Sequence, residues 1–245
     1  MTSLTSAARA MIFSAGLGTR FKPWTDRHPK ALAPINGKSL LQRNIAYLQQ
    51  YGFIDIVVNV HHFASQITNA LDENNGWGSN ILVSDETDVV LETGGGLWKA
   101  RGLFAKDEDI LTINVDILTT LDLGAFLAFH RSRRPLVSLA VSDRKTSRCF
   151  VFDQANRLTG WRNLQTGEER IITPAEHTVN KAFSGISIFS PSFFEKVTQR
   201  GKFSLVDAFL SLSAEYPILA YDHTGDNWVD VGKPETVPVA ESLFS

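Results

Sequence analysis

Short apolar runs punctuate the first half of the chain at regular intervals. Ala10 to Phe13, Ile54 to Val60, Ile81 to Ser84, Ile110 to Val115 and Leu136 to Val141 are dominated by branched or aromatic residues, without sustained polar alternation. Runs of roughly four to eight such residues suit strands covered on both faces, because neither side of the pleat has to meet water. The segments between them follow the other period. Ser39 is placed to cap a helix on which Leu41, Ile45 and Leu48 share one face, and Gly52 ends it. Residues 65–71 read as a short helix, residues 94–104 as a helix opening on glycines, and residues 122–131 as a helix carrying Leu123, Phe126, Leu127 and His130 together. This alternation predicts an α/β fold: a mainly parallel twisted sheet with helices on both faces. Ligands of such a sheet sit beyond the carboxyl ends of its strands.

From about residue 143 the rhythm changes. Cys149 to Phe152, Arg157 to Trp161 and Ala182 to Phe189 are shorter strands separated by turns, and they predict a small antiparallel flap. Helices near 191–199 and 204–214, a strand at 218–222 and a helix after Pro234 follow. Residues 10–245 therefore read as one unit with halves 10–142 and 143–245 and a cleft between them. Residues 1–9, small and polar, read as a loose extension.

Composition narrows the class. A chain of 245 residues with 43% hydrophobic content can bury a full core as one α/β domain. No run approaches the roughly 18 apolar residues of a membrane span, and the N-terminus lacks a signal-peptide core, so a cytoplasmic enzyme with no membrane partner is expected. A single cysteine, Cys149, excludes an internal disulfide framework and a cysteine-based zinc cluster. The net charge of −2 leaves no electrostatic footprint for nucleic acid, and the basic runs Arg131, Arg133, Arg134 and Arg144, Lys145, Arg148 read as solvated surface.

The chemistry begins where the first strand ends. Residues 14–20, Ser-Ala-Gly-Leu-Gly-Thr-Arg, form a glycine turn, and Pro29-Lys30 follows. Gly16 and Gly18 let backbone approach a ligand, the amides from Ala15 through Leu17 to Thr19 supply fixed donors, and the Arg20 guanidinium can engage two phosphate oxygens at once. Two other phosphate motifs are absent: a dinucleotide fingerprint needs glycine where Phe21 stands, and a P-loop ending in Gly37-Lys38-Ser39 needs glycine where Leu32 stands. Asp116 closes the run from Leu111 to Val115, so it either caps a turn or offers a carboxylate to Mg²⁺ at the sheet edge. Asp230 stands in an apolar strand before Gly232, where an acid must be paired, coordinated or turned to the cleft.

The G-x-G-T-R and P-K segments resemble the signature of the sugar nucleotidyltransferases, the nucleoside-diphosphate-sugar pyrophosphorylases. Residues 91–96 (Leu-Glu-Thr-Gly-Gly-Gly), Asn114-Val115-Asp116, residues 183–187 (Phe-Ser-Gly-Ile-Ser) and residues 228–232 (Trp-Val-Asp-Val-Gly) occur in the order and approximate spacing of that family. The resemblance implies a Rossmann-like nucleotidyltransferase fold and a reaction between a nucleoside triphosphate and a sugar-1-phosphate. Arg20 and Lys30 would be catalytic, with Mg²⁺ held by Asp116 and Asp230. Ala15, Gly16, Leu17, Gly18, Thr19, Thr93 and Gly94 would bind the nucleotide, and Asn114, Ser184, Gly185 and Arg162 the sugar. The first half would then be nucleotide-binding and the second sugar-binding, in a monomer or homodimer. The loop at 91–96 and the compact flap most resemble the N-acetylmuramate-1-phosphate uridylyltransferases. Alternatives are a mannose-1-phosphate guanylyltransferase and a non-catalytic nucleotide-sugar sensor. The usual Asn-Gly-Asp is Asn114-Val115-Asp116 here, and Trp161-Arg162-Asn163 replaces a Glu-Lys-Pro segment. Arg148 or Arg162 would meet a lactyl carboxylate. His61 and His62 read as structural loop residues, and Asp85-Glu86 as an exposed turn.

Overall fold

The computed structural model describes residues 8–244. Strand β1 (Ala8–Phe13) runs into a loop of three single-turn 3-10 segments, then a minimal hairpin of β2 (Pro34–Ile35) and β3 (Lys38–Ser39). Helix α1 (Leu40–Gln50) follows, its first turn capped by the Ser39 hydroxyl, which accepts from Gln42 N at 3.1 Å. Next come β4 (Asp55–Val60), α2 (Ala64–Glu73), β5 (Asn80–Asp85) and α3 (Glu92–Ala100). After them stand β6 (Asp109–Asn114), β7 (Ile117–Thr119), α4 (Leu123–Arg133) and β8 (Val137–Ser142). Asp122 caps α4, and Arg134 ends it in the left-handed region at φ 48°.

Strands β9 (Arg148–Asp153), β10 (Leu158–Asn163) and β11 (Glu169–Ile171) lead to the long β12 (Thr178–Phe189). The chain closes with α5 (Phe193–Lys196), α6 (Leu205–Leu212), β13 (Ile218–Asp222), β14 (Trp228–Asp230) and α7 (Val237–Leu243).

The main sheet places β5, β4, β1 and β6 side by side and parallel. Beyond β6 the second half of β12 runs antiparallel, followed by β8 and then β13, which is parallel to β8. The first half of β12 joins β9, β10 and β11 in the antiparallel flap. One strand thus serves both sheets. It changes register between Phe183 and Ser187, and Gly185 sits there at φ +77°.

The unbroken apolar run of β1 has a direct cause. Ala10 and Ile12 pack with Ile45, Ile56 and Phe126 on the α1 and α4 side, while Met11 and Phe13 pack with Val57, Leu97 and Phe209 on the α3 and α6 side. The α/β class and the mainly parallel sheet are as the periodicity predicts; an antiparallel flap forms too, but the expected flap strand Ala182 to Phe189 pairs with β6 and β8 in the main sheet, and it is Thr178 to Lys181 that pair with β9.

Several boundaries differ. Within the expected loose extension, residues 1–7 lie outside the described residues, while Ala8 and Arg9 belong to β1. Arg9 donates to the Leu103 carbonyl and pairs with Glu108 at 3.5 Å. The helix expected at 191–199 shrinks to α5, because Val197 turns extended at ψ 125°. The helix expected from Gly94 begins at Glu92, at φ 58°, and becomes a 3-10 turn at Arg101–Leu103. Sequence reading passes over the β7–β14 ladder, in which Asp230 lies opposite Ile117.

Candidate active site

The loop after β1 is pinned by one amide. Asn59, beside Phe13 in the β4 register, accepts from Ser14 N at 2.7 Å and Ala15 N at 3.3 Å through Oδ1, and the Ser14 hydroxyl donates to its carbonyl. Its Nδ2 donates to Glu86 Oε1 at 2.7 Å, which fixes which way the amide points. Glu86 is 1% exposed, and burial pushes its carboxyl above the ordinary range. The sequence reading of Glu86 as an exposed turn is therefore corrected. His61 braces the same point through a 2.6 Å contact to the Glu86 carbonyl oxygen, and the His62 ring lies against Phe63.

The two loop glycines are needed for different reasons. Gly18 is left-handed at φ +60°, and a Cβ there would lie 2.9 Å from Thr25 Cγ2 and 3.1 Å from Lys30 Cβ. A Cβ at Gly16 would meet no protein atom within 4 Å, so the fold itself makes no demand for glycine there.

Four charged groups converge just beyond. Lys30 forms an ion pair with Asp116 Oδ2, and both side chains are largely shielded, at 11% and 19% exposure. The β7–β14 ladder carries Asp230 back to this place, and Val231 N donates to the Asp116 carbonyl at 2.8 Å. Gly232 sits where a side chain would lie 2.6 Å from Asp230 Oδ1 and 3.0 Å from Arg20 Nη2, so glycine permits the acid and the guanidinium to close on the same backbone. Asp230 Oδ1 is buried without a hydrogen-bond partner. Burial first, then the Asp116 carboxylate, holds the Asp230 carboxyl above the usual range against the opposing pull of Lys30, Arg20 and Arg144.

These groups border two adjoining cavities. The first, of about 260 Å³, is lined by Gly16, Gly18, Thr19, Arg20, Lys30 and, across from them, Thr93, Asn114 and Asp116. The second, of about 390 Å³, shares Arg20 and Gly232 with it and adds Arg144, Trp228, Asp230 and Lys233.

Other expected site residues sit elsewhere. Gly94 donates its amide to the Phe203 carbonyl at 3.0 Å, and Phe203 covers the position a Cβ would take, so Gly94 serves packing. Thr93 reaches the first cavity, although its hydroxyl also accepts from Leu205 N at 3.1 Å. Ser184 is fully buried, with Oγ 2.7 Å from His223 Nε2; it faces that histidine and leaves no hydroxyl for a sugar. Gly185 backs the site, because a Cβ there would stand 3.0 Å from Asn114 Nδ2. Arg162 pairs with Glu169 at 2.8 Å on the flap and lines neither cavity. Ala15 has its amide on Asn59, and Leu17 is exposed outside both cavity linings.

Sequence reading missed Asn59, Glu86 and Arg144. A polar Asn59 inside an apolar run was the one available signal. Arg144, read as solvated surface, is half-buried, with its guanidinium 3.9 Å from the Trp228 ring centroid. No helix among the described residues is long and apolar enough to cross a membrane.

Residues 9–242 match the family model described as nucleotidyl transferase. The chain is 29% identical over 236 residues to N-acetylmuramate alpha-1-phosphate uridylyltransferase of Neisseria meningitidis, covering 96% of this chain and 97% of that protein. It is 26% identical to mannose-1-phosphate guanylyltransferase catalytic subunit beta of Drosophila pseudoobscura pseudoobscura, covering 99% of this chain but 64% of that protein. Among solved structures, HddC from Yersinia pseudotuberculosis complexed with GMP-PN is similar at a TM-score of 0.77 and 23% identity, over 98% of this chain and all of that one. That likeness carries the fold.

Proposed function

The chain belongs to the nucleotidyl transferase family, and from that premise we propose that it joins UTP to N-acetylmuramate 1-phosphate and releases pyrophosphate. The coarser statement is firm: it is an enzyme, a sugar-1-phosphate nucleotidyltransferase. The finer one is supported by identity: two relatives named N-acetylmuramate alpha-1-phosphate uridylyltransferase are 29% and 28% identical to this chain, and the guanylyltransferase above is 26% identical.

The observation that carries the reading is the meeting of Arg20, Lys30, Asp116 and Asp230 around two adjoining cavities. In the proposed reaction an oxygen of the sugar phosphate attacks the α-phosphorus of the triphosphate. The bond from that phosphorus to the bridging oxygen breaks, and pyrophosphate leaves. Loop amides and Arg20 hold the β- and γ-phosphates, and Lys30 neutralises charge developing at the α-phosphate. No protein nucleophile is needed.

Asp116 and Asp230 fit a divalent cation such as Mg²⁺, since two close carboxylates, one with a buried and unpartnered oxygen, make a hard oxygen donor set. When bound, such an ion would neutralise α-phosphate oxygens and make the phosphorus more electrophilic. We place the activity in the cytoplasm, where nucleoside triphosphates are available.

Pyrophosphate release, measured over a panel of triphosphates and sugar 1-phosphates, tests the reading. Preference for UTP with N-acetylmuramate 1-phosphate is expected. Arg20→Ala and Asp116→Ala are expected to lower kcat at least about a hundredfold. Near-normal turnover in either variant refutes the assigned roles.

A further inference from the structure

Nucleotidyl transfer occupies Arg20, Lys30 and the two aspartates, and leaves the half-buried Arg144 without a task. The link between β8 and β9 that carries it is fastened on both sides. Lys181 Nζ bridges Asp143 at 2.6 Å and Asp222 at 2.5 Å, and Asp143 N donates to Thr224 Oγ1 at 3.0 Å. From this anchor the guanidinium folds over Trp228, 3.9 Å from the ring centroid, and Nη2 donates to the Phe183 carbonyl at 2.6 Å.

Trp228 is itself held in place. Its Nε1 donates to the Ser184 carbonyl at 2.9 Å, Ser184 Oγ meets His223 Nε2 at 2.7 Å, and His223 Nδ1 lies 3.4 Å from Asp226. This row of serine, histidine and aspartate has no exposed hydroxyl; it is a brace for the aromatic platform.

Arg144 is thus a cation with a fixed orientation, and its Nε is buried with no hydrogen-bond partner. The cavity it borders holds Arg20, Arg144 and Lys233 against the single carboxylate of Asp230, an excess of positive charge that suits an oxyanion. Arg162, the cation the sequence offers for this purpose, is engaged with Glu169.

We propose that Arg144, laid on Trp228, binds the acidic group of the sugar substrate. The inference rests on the nucleotidyl-transfer reading and deepens it, by assigning the cavity beside Arg20 to the sugar. The shared chemistry is a phosphate or carboxylate oxyanion, from either the 1-phosphate or a carboxylate on the sugar.

Arg144→Gln and Arg144→Lys separate these sources in steady-state assays with UTP, N-acetylmuramate 1-phosphate and N-acetylglucosamine 1-phosphate. The Gln variant is expected to raise KM for the acidic sugar at least tenfold, with KM for UTP within twofold, and the Lys variant to recover part of the loss. A rise for both sugars assigns the 1-phosphate; a rise for the muramate alone assigns the carboxylate. An unchanged sugar KM, or a rise confined to UTP, overturns the proposal.

Calorimetric titration of each sugar 1-phosphate into the enzyme gives a reading independent of turnover. Weaker binding in Arg144→Gln supports the assignment even if wild type turns over neither sugar, an outcome that would count against the proposed reaction alone. Equal binding by variant and wild type, or no binding by wild type, overturns the assignment.

Discussion

Replacing Asn59 by alanine tests whether one side-chain amide holds the loop after β1. The substitution strips the acceptor from Ser14 N and Ala15 N and the donor from Glu86 Oε1, at residues that are all buried. The Ser14 hydroxyl keeps its bond to the backbone of residue 59, so the loop stays attached at one point. Each buried polar group left unsatisfied costs about 1–3 kcal/mol. The 3.3 Å contact of Ala15 is the weaker of the two and shares its acceptor. The expected loss is therefore about 2–6 kcal/mol, the sum for Ser14 N and Glu86. At roughly 2–4 °C per kcal/mol for a chain of this size, Tm should fall by roughly 4–24 °C in calorimetry at pH 7. KM for the triphosphate should rise with it, because the loop amides lose their fixed direction.

The isosteric Asn59→Asp variant checks the cause. It sets a second carboxyl where the amide now meets Glu86 at 2.7 Å, and two carboxylates at that distance cannot both ionise. The shared proton raises the pair's folded-state pKa, so the variant loses stability as pH rises through that value and recovers it on acidification. A Tm within about 2 °C of wild type for Asn59→Ala, or an Asn59→Asp deficit that does not change between pH 5 and 7, refutes the reasoning.

Three further outcomes are expected. Gly16→Ala should leave unfolding within about 0.5 kcal/mol of wild type while raising KM for the triphosphate, whereas Gly95→Ala drives a Cβ into the Gly201 carbonyl and should cost about 1–3 kcal/mol by urea titration. Asp230→Asn should stabilise the protein at pH 7 in chelator: the wild-type carboxyl has a raised folded-state pKa, so its ionisation penalty is complete at neutral pH and fades as pH falls into the carboxylate range. Added Mg²⁺ should then raise Tm in wild type and not in the variant. Burial depresses the His130 imidazole from 6.5 to about 4, so wild type should lose about 3 kcal/mol of stability as pH falls from about 6.5 toward 4, and His130→Gln should lack that part of the slope in urea titrations at pH 7 and 4.5.

What the sequence made legible follows the range of the forces involved. The strands and α1 were readable because their periods record burial on two faces or one, a local property that Ala10 to Phe13 and Leu41, Ile45 and Leu48 display directly. The Gly18 turn and the Ser39 cap are likewise written within a few residues. Partners set by tertiary contact were not readable. Arg144 stood in a basic run like any surface arginine until β14 brought Trp228 under it, and Ser184 looked available until His223, on the chain after β13, closed over it. Glu86 looked like turn polarity because its partner Asn59 lies on a neighbouring strand. Of the three glycines after Thr93, Gly94 was expected to bind the nucleotide. Instead Gly94 and Gly95 admit the segment around Gly201 and Phe203, and Gly96 makes room for Glu86.

A chain with net charge −2 can still attract a polyanion, because capture depends on the local field. Around the two cavities Arg20, Lys30, Arg144 and Lys233 stand against Asp116 and Asp230, so the cleft is locally cationic on a mildly acidic molecule. The arrangement also separates tasks. Lys30 already neutralises Asp116, while Asp230 keeps an oxygen unpartnered against opposing charge. A phosphate entering beside Lys30 therefore has to compete with Asp116, and relief of Asp230 favours a cation that contacts both acids. In the proposed reaction each group in the cleft would be better satisfied with substrate and ion present together than with either alone, so the two binding events are expected to be coupled.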